Sequence, residues 1–179
     1  LDTYFADEAE KMFGMKVSEY VKKNYPKVYE DKIRLYLDKY PYTTIEGKGE
    51  GVIMLALEES ADADYLGVIR PLLSKEDRLK AIMYTFSIYL KPYDYDFDFS
   101  TDDEFVCSEV VYKAYLPGKD KQGLKYDMKY IAGRPMVSPQ DMIEDFDVNY
   151  GTEDQQTEFV LFLDGNEETE TASEKEVSE

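Results

Sequence analysis

The chain has one cysteine, Cys107, in the sequence Phe105-Val-Cys-Ser-Glu-Val, where a helical pattern begins. A thiol in the first turn of a helix meets unpaired backbone N–H groups and the positive end of the helix dipole, and both favour the nucleophilic thiolate. The same N–H groups can hold the oxyanion that forms during acyl transfer. The alternative is a small buried apolar side chain, as most free cysteines are. Position alone leaves both interpretations of Cys107 open.

Residues 93–100 alternate aromatic and acidic side chains, and the acids are Asp94, Asp96 and Asp98. Their spacing matches positions 1, 3 and 5 of a calcium-binding loop. However, Phe99 stands where that loop needs glycine, and Phe105 stands where it needs a bidentate glutamate. The alternation therefore predicts a strand with its aspartates on the solvent face. We expect no metal and no cofactor.

Glu46 lies at the end of a predicted strand and is followed by Gly47, Gly49 and Gly51. These glycines lack the spacing, the lysine and the following helix of a phosphate-binding loop, so they predict a β-turn. A carboxylate in this place is by default a surface group. The functional alternative is that Glu46 orients a catalytic base.

Residues 91–115 read KPYDYDFDFSTDDEFVCSEVVYKAY. This run resembles the permuted papain-like cysteine amidases, the YiiX/YebB-like branch of the NlpC superfamily, in which a kPYDfdF strand leads into fxCSELvxxAY. The upstream runs YTTIEGKGEGVIMLALEES and ADYLGVIRPLLSKEDRLKAI also resemble motifs of that family, in the same order. The resemblance covers residues 42–115.

The resemblance implies a nucleophilic role for Cys107, an orienting role for Glu46 and a site-lining role for Tyr93, whose hydroxyl could stabilise an oxyanion. It also implies that the Glu46 strand packs beside the helix that begins at Cys107, with both side chains pointing into one cleft. The family's general base is a histidine on a strand before the glutamate strand, and these 179 residues contain no histidine. We therefore expect the first strand or strands of the family fold to lie before Leu1, and residues 1–41 to be a helical insertion. The chain alone is expected to be nearly inactive, because a general base contributes typically 10²–10⁴-fold.

Apolar spacing predicts an α+β fold, with a small antiparallel sheet packed on helices in one domain over residues 1–163. Within it, residues 42–116 form the core that carries the motifs. Residues 164–179 are acidic and almost free of apolar side chains, which predicts a disordered tail. The predicted helices cover residues 6–24, 28–39, 74–90, 106–115 and 139–146, and the predicted strands cover 42–46, 52–57, 65–70, 93–100 and 158–163.

Composition excludes several classes of function. With 39 acidic and 21 basic residues the formal net charge is −18, which argues against binding to nucleic acid or to anionic membranes. Without histidine, no zinc-hydrolase site, Ser/His/Asp triad or Cys/His dyad can be complete within these residues. There is no apolar run of transmembrane length and no signal sequence at the start of the chain. Cellular location and oligomeric state stay open.

The expected activity is acyl transfer from an amide or ester, whose substrate could be a peptide, a cell-wall peptide or a lipid acyl group. The sequence does not choose between these substrates, or between a hydrolase and an acyltransferase. One alternative is a catalytically dead binding module on the same fold. Another is an acidic interaction protein whose likeness to the amidases is accidental.

Overall fold

The structure is a computed structural model that describes residues 1–166, 169 and 171–175. Its elements confirm the predicted α+β class, with small antiparallel sheets packed on helices. No helix in the described part is long and apolar enough to cross a membrane. In chain order the elements are α1 (Ala6–Phe13), α2 (Val17–Asn24), α3 (Pro26–Leu37), β1 (Thr43–Lys48), β2 (Gly51–Ala56), α4 (Leu57–Ser60), β3 (Tyr65–Pro71), α5 (Lys75–Ser87), α6 (Cys107–Ala114), β4 (Lys129–Ile131), β5 (Arg134–Met136), α7 (Pro139–Asn149), β6 (Thr157–Asn166) and β7 (Thr171–Glu174).

The strands form separate small sheets rather than the single sheet that the sequence predicts. β1 and β2 make an antiparallel hairpin that runs from the pair Thr43 and Ala56 to the pair Lys48 and Gly51. β3 joins β6 instead, which in turn pairs with β7, while β4 and β5 form a third sheet. The prediction is wrong for β3 because its partner is the last apolar strand of the chain, and strand patterns carry no signal for such distant pairing.

Helices α1, α2 and α3 pack around α5 and the β1–β2 hairpin. Their main buried cluster combines residues of all these elements: Phe5, Ala9, Val17, Val21, Val28, Leu35, Met54, Leu79, Met83 and Phe86. The predicted single helix over residues 6–24 is interrupted at Gly14, which caps α1 with a left-handed φ of 65°. Glycine adopts this conformation without the steric penalty of a Cβ, so it ends the helix.

Two predicted helices are confirmed where local signals are strong. α5 follows Ser74, whose hydroxyl accepts the N–H of Asp77 at 3.0 Å and caps the helix. α6 begins at Cys107 and ends at Ala114, close to the predicted 106–115. The predicted short helix near residues 139–146 is also present as α7.

The predicted strand over residues 93–100 is wrong. Asp94 is only 1% exposed, and its carboxylate accepts the backbone N–H groups of Asp96 at 2.7 Å, Phe97 at 3.0 Å and Asp98 at 2.6 Å. These bonds fold the segment into a turn. A short acidic side chain that bonds the following N–H groups offers the backbone an alternative to a strand ladder. The aromatic–acid alternation predicted a strand and gave no sign of this turn.

The predicted disordered tail is also corrected in part. β6 continues to Asn166, and β7 pairs with it from Leu163 and Glu174 to Asn166 and Thr171. Residues 167, 168, 170 and 176–179 of the predicted tail lie outside the described residues. The prediction considered only the apolar surface that the segment could bury. Backbone hydrogen bonds to a strand already held by β3 require no apolar side chains.

Gly51 gives a prediction about stability. Its φ is 139°, and an added Cβ would lie 2.2 Å from the carbonyl oxygen of Lys91. We expect Gly51→Ala to lower the free energy of unfolding by about 3 kcal/mol, because both backbone strain and a backbone clash oppose it. Gly118→Ala is the matched control, since its Cβ would meet nothing within 4 Å. Urea unfolding of both variants measures the difference, and equal stability would contradict the prediction.

Candidate active site

Cys107 is the first residue of α6, as predicted. The residue before it, Val106, is extended, with φ −91° and ψ 161°, and acts as the N-cap. The thiol side chain is exposed, whereas its neighbours Val106, Ser108 and Glu109 are buried. The buried-core interpretation of Cys107 therefore does not hold. An exposed thiol beside the free N–H groups of a helix start can reach a substrate carbonyl.

A buried ion pair fixes the start of α6. Glu109 is fully buried, and its Oε2 accepts the N–H of Val106 at 3.3 Å. Its Oε1 lies 2.9 Å from Lys113 Nζ, which also lies 2.6 Å from Asp102 Oδ1. Burial raises the pKa of Glu109, and the ammonium group of Lys113 opposes that rise. The pair therefore ties the turn before Cys107 to the body of the helix.

The raised pKa of Glu109 predicts how stability depends on pH. The folded protein holds this proton more tightly than the unfolded chain, so Glu109 contributes less to stability as pH rises. We expect the stability advantage of wild type over Glu109→Gln to shrink between about pH 4 and pH 7, across and above the ordinary range of a glutamate. Urea unfolding of both proteins across that range measures it. An advantage that grows with pH would contradict the prediction.

β1 packs directly against the start of α6 through Gly47. A Cβ built on Gly47 would lie 3.0 Å from the backbone nitrogen of Cys107 and 3.0 Å from the carbonyl carbon of Val106. Gly47 thus lies inside β1 and serves a close approach of two backbones, which corrects its prediction as a turn residue. The predicted packing of the Glu46 strand beside the cysteine helix is present.

The Glu46 side chain lies on the other face of β1. Successive strand residues point to opposite faces, and Gly47 faces α6. The Oε1 atom of Glu46 accepts the hydroxyls of Ser60 at 2.6 Å and Thr44 at 3.2 Å. The described residues therefore bring the backbone of Glu46 close to Cys107 without aiming its carboxylate at the thiol. The side chains of Cys107 and Glu46 therefore do not point into one cleft, contrary to the expectation.

The outer edge of β1 is unpaired in the described part of the chain. Val52 bonds residues beyond the hairpin, because its N–H donates to the carbonyl of Lys91 at 2.9 Å and its carbonyl accepts from Leu90 at 2.8 Å. Val52 pairs with Gly47, so this pair makes no hydrogen bonds across the hairpin. Gly47 and, by alternation, Ile45 and Thr43 therefore turn their N–H and C=O groups toward the free edge.

Tyr93 lies beside Cys107. Its backbone forms a parallel bridge with Phe105, and its side chain packs on the buried cluster that contains Val106, the residue before the cysteine. Burial raises the pKa of Tyr93, and the negative charge of a Cys107 thiolate raises it further. The hydroxyl thus stays protonated as a hydrogen-bond donor. Of the predicted site residues, Cys107 and Tyr93 come together and Glu46 faces away.

Sequence reasoning assigned neither of two acidic residues to the site: Asp94, which it placed on a solvent face, and Glu109, which it did not consider. Both are almost fully buried, although acidic side chains are usually exposed. Glu109 carries a local signal, since it stands three residues after the N-cap, where a carboxylate can bond back to the cap N–H. In the described part of the chain, no group of acidic and cysteine side chains could hold a metal ion.

Two open depressions lie elsewhere on the surface. One, of about 440 Å³, lies between the start of α5 and residues 118–122. The other, of about 400 Å³, runs along α3 and is lined by apolar atoms of Tyr29, Ile33 and Leu37. Neither is lined by Cys107, Glu46 or Tyr93.

Comparison with known proteins gave no relatives. No protein-family model, no curated protein and no solved structure matches the chain.

Proposed function

We propose that the protein is a cysteine hydrolase that transfers an acyl group from an amide or ester, built on a permuted papain-like fold. The exposed thiol of Cys107 at the start of α6 carries the proposal. The contact between Gly47 and the backbone of Cys107 supports it, because it fixes the helix start against β1. The substrate class is a small peptide, another amide or a lipid acyl ester.

The proposed reaction has two steps. A base takes the proton from Cys107 Sγ, and the thiolate attacks the substrate carbonyl carbon to form a tetrahedral oxyanion. Backbone N–H groups at the start of α6 and the protonated hydroxyl of Tyr93 donate to that oxyanion. The leaving amine or alcohol departs with the proton from the base. Water then attacks the thioester, giving up a proton to the base, and the thiolate leaves.

The base in this proposal is a histidine outside these 179 residues, carried by a strand that pairs with the free edge of β1. The outward N–H and C=O groups of Thr43, Ile45 and Gly47 can bond such a strand. An imidazole at this edge stands between the two faces of β1. In the proposal it lies between Cys107 and the carboxylate of Glu46, which is the orienting group.

Chemical rescue tests the proposal on the chain as it stands. Incubation with p-nitrophenyl acetate should transfer one acetyl group to Cys107, detected by mass spectrometry of the peptide that contains it. Added imidazole should then increase turnover in a saturable way, because it enters the place of the missing base. The bulkier 1-methylimidazole, with a similar basicity, serves as the control and should rescue less. Absence of the acetyl adduct, or equal rescue by both bases, would contradict the proposal.

One observation favours a second candidate, a binding module without catalysis on the same fold. The carboxylate of Glu46 is already bonded by Ser60 and Thr44, on the face of β1 away from the thiol. A module of this kind would leave Cys107 unacetylated or acetylated once with no turnover. The rescue experiment therefore separates the two candidates.

A further inference from the structure

The turn that follows Tyr93 is organised by one buried carboxylate. Asp94 accepts three consecutive backbone N–H groups, and no described cation pairs with it. These three N–H donors satisfy acceptor sites on both oxygens of the buried carboxylate. The turn bonds also hold Phe97 at a left-handed φ of 56°, which is unfavourable for a side chain other than glycine. Asp94 therefore stabilises a backbone conformation that this segment would not adopt alone.

The turn gathers aromatic rings around Tyr93. The rings of Tyr95 and Phe97 pack edge-on against Tyr93, with centroid distances of 5.0 Å and 6.3 Å. The Tyr95 hydroxyl donates to the carbonyl of Gly49 at 2.7 Å, which anchors the turn to the β1–β2 hairpin. On its other side, the N–H of Asp94 donates to the carbonyl of Phe105 at 3.2 Å, two residues before Cys107. The position of Tyr93 beside the thiol thus depends on this turn.

We infer that Asp94 is a positioning residue: through the turn it bonds, it holds the Tyr93 hydroxyl where it donates to the Cys107 thiolate and to the oxyanion formed there. The part of this inference that concerns the oxyanion rests on the proposed function. The part that concerns donation from Tyr93 to the Cys107 thiolate involves only residues of this chain, and it can be tested without any substrate or histidine.

The test is a double-mutant cycle on the pH–rate profile of Cys107 alkylation by iodoacetamide. Tyr93→Phe removes one hydroxyl and should move the midpoint of the profile upward by about half a pH unit, or about threefold in rate at a fixed pH below it. Asp94→Asn keeps the shape of the side chain, but its amide group presents N–H donors where acceptors are needed. It should produce the same shift. The double variant should shift no further, because both changes remove the same interaction.

Asp98→Asn is the matched control, because within this turn the Asp98 carboxylate bonds only Ser100. This variant should leave the profile unchanged. Glu46, Glu109 and Lys113 are common to all variants, so their charges cancel in the comparison. A structural role without positioning would lower the unfolding temperature of Asp94→Asn without moving the profile. If Asp94→Asn does not fold, as judged by circular dichroism, Asp94→Glu replaces it in the cycle.

Additive shifts, or an unshifted profile for Tyr93→Phe, would overturn the inference. Tyr93→Phe loses only a hydroxyl group and serves as a test even if both Asp94 variants fail to fold. Failure of the proposed function gives a different result. In that case the acetyl adduct or its rescue by imidazole is missing, whereas the alkylation cycle still reports on the position of Tyr93.

Discussion

Replacing Cys107 by serine is expected to abolish the imidazole-dependent turnover of an activated ester, by about 10³-fold or more. The reason is that a serine hydroxyl stays protonated where a thiol can ionise, and free imidazole is a poorly positioned base. Spectrophotometric release of p-nitrophenol, with mass spectrometry for the acyl adduct, measures the effect.

The fold should tolerate this change, because the Cys107 side chain is exposed and differs from serine by one atom. Thermal unfolding of Cys107→Ser is therefore the control for folding and should match wild type. Ser100→Ala is the control for handling, since it alters an exposed residue and should keep full turnover. Turnover by Cys107→Ser within a few-fold of wild type would remove the thiol from the mechanism.

Replacing Phe105 by alanine is expected to cost about 3–5 kcal/mol of stability, the usual cost of truncating a buried phenylalanine. Phe105 is completely buried and packs with Val52, Ile88 and Val110. The ammonium groups of Lys91 and Lys113 lie over its ring, at 5.4 Å and 5.2 Å from the centroid. Loss of the ring therefore leaves a cavity directly under the turn that precedes Cys107.

Urea or thermal unfolding measures this cost. Phe97→Ala is the matched control, because the same side chain is 42% exposed there, and we expect a loss below about 1 kcal/mol. Equal losses for the two variants would show that Phe105 does not anchor the core under the site.

Local signals predicted the helices well and the sheets poorly. α5 and α6 follow from apolar periodicity, and Ser74 caps α5; these signals depend on neighbouring residues only. The pairing of β3 with β6 depends on residues far apart in the chain, which a strand pattern does not encode. The turn at Asp94 shows a second limit, because side-chain bonds to the backbone competed successfully with a perfect strand alternation.

The sequence predicted which strand and which helix form the candidate site, but not the face of the strand to which Glu46 points. The sequence placed Cys107 at a helix start and the Glu46 strand beside it, and both are present. The orientation of Glu46 depends on strand parity. Ile45 packs in the core, so the next residue, Glu46, must point to the opposite face of the strand. That parity was available from the sequence, but the resemblance directed attention to residue type alone.

The exchange rates of the backbone amides in β1 depend on whether a strand covers its free edge. The amides of Thr44 and Glu46 are bonded within the hairpin, whereas those of Thr43 and Ile45 point outward. In deuterated water the outward pair should exchange quickly and the inward pair slowly, in strict alternation along the strand. A strand added at this edge would slow the outward pair and make the four rates similar. Hydrogen exchange of these four amides therefore reports whether a strand occupies the edge. They lie just before Gly47, which packs against the backbone of Cys107.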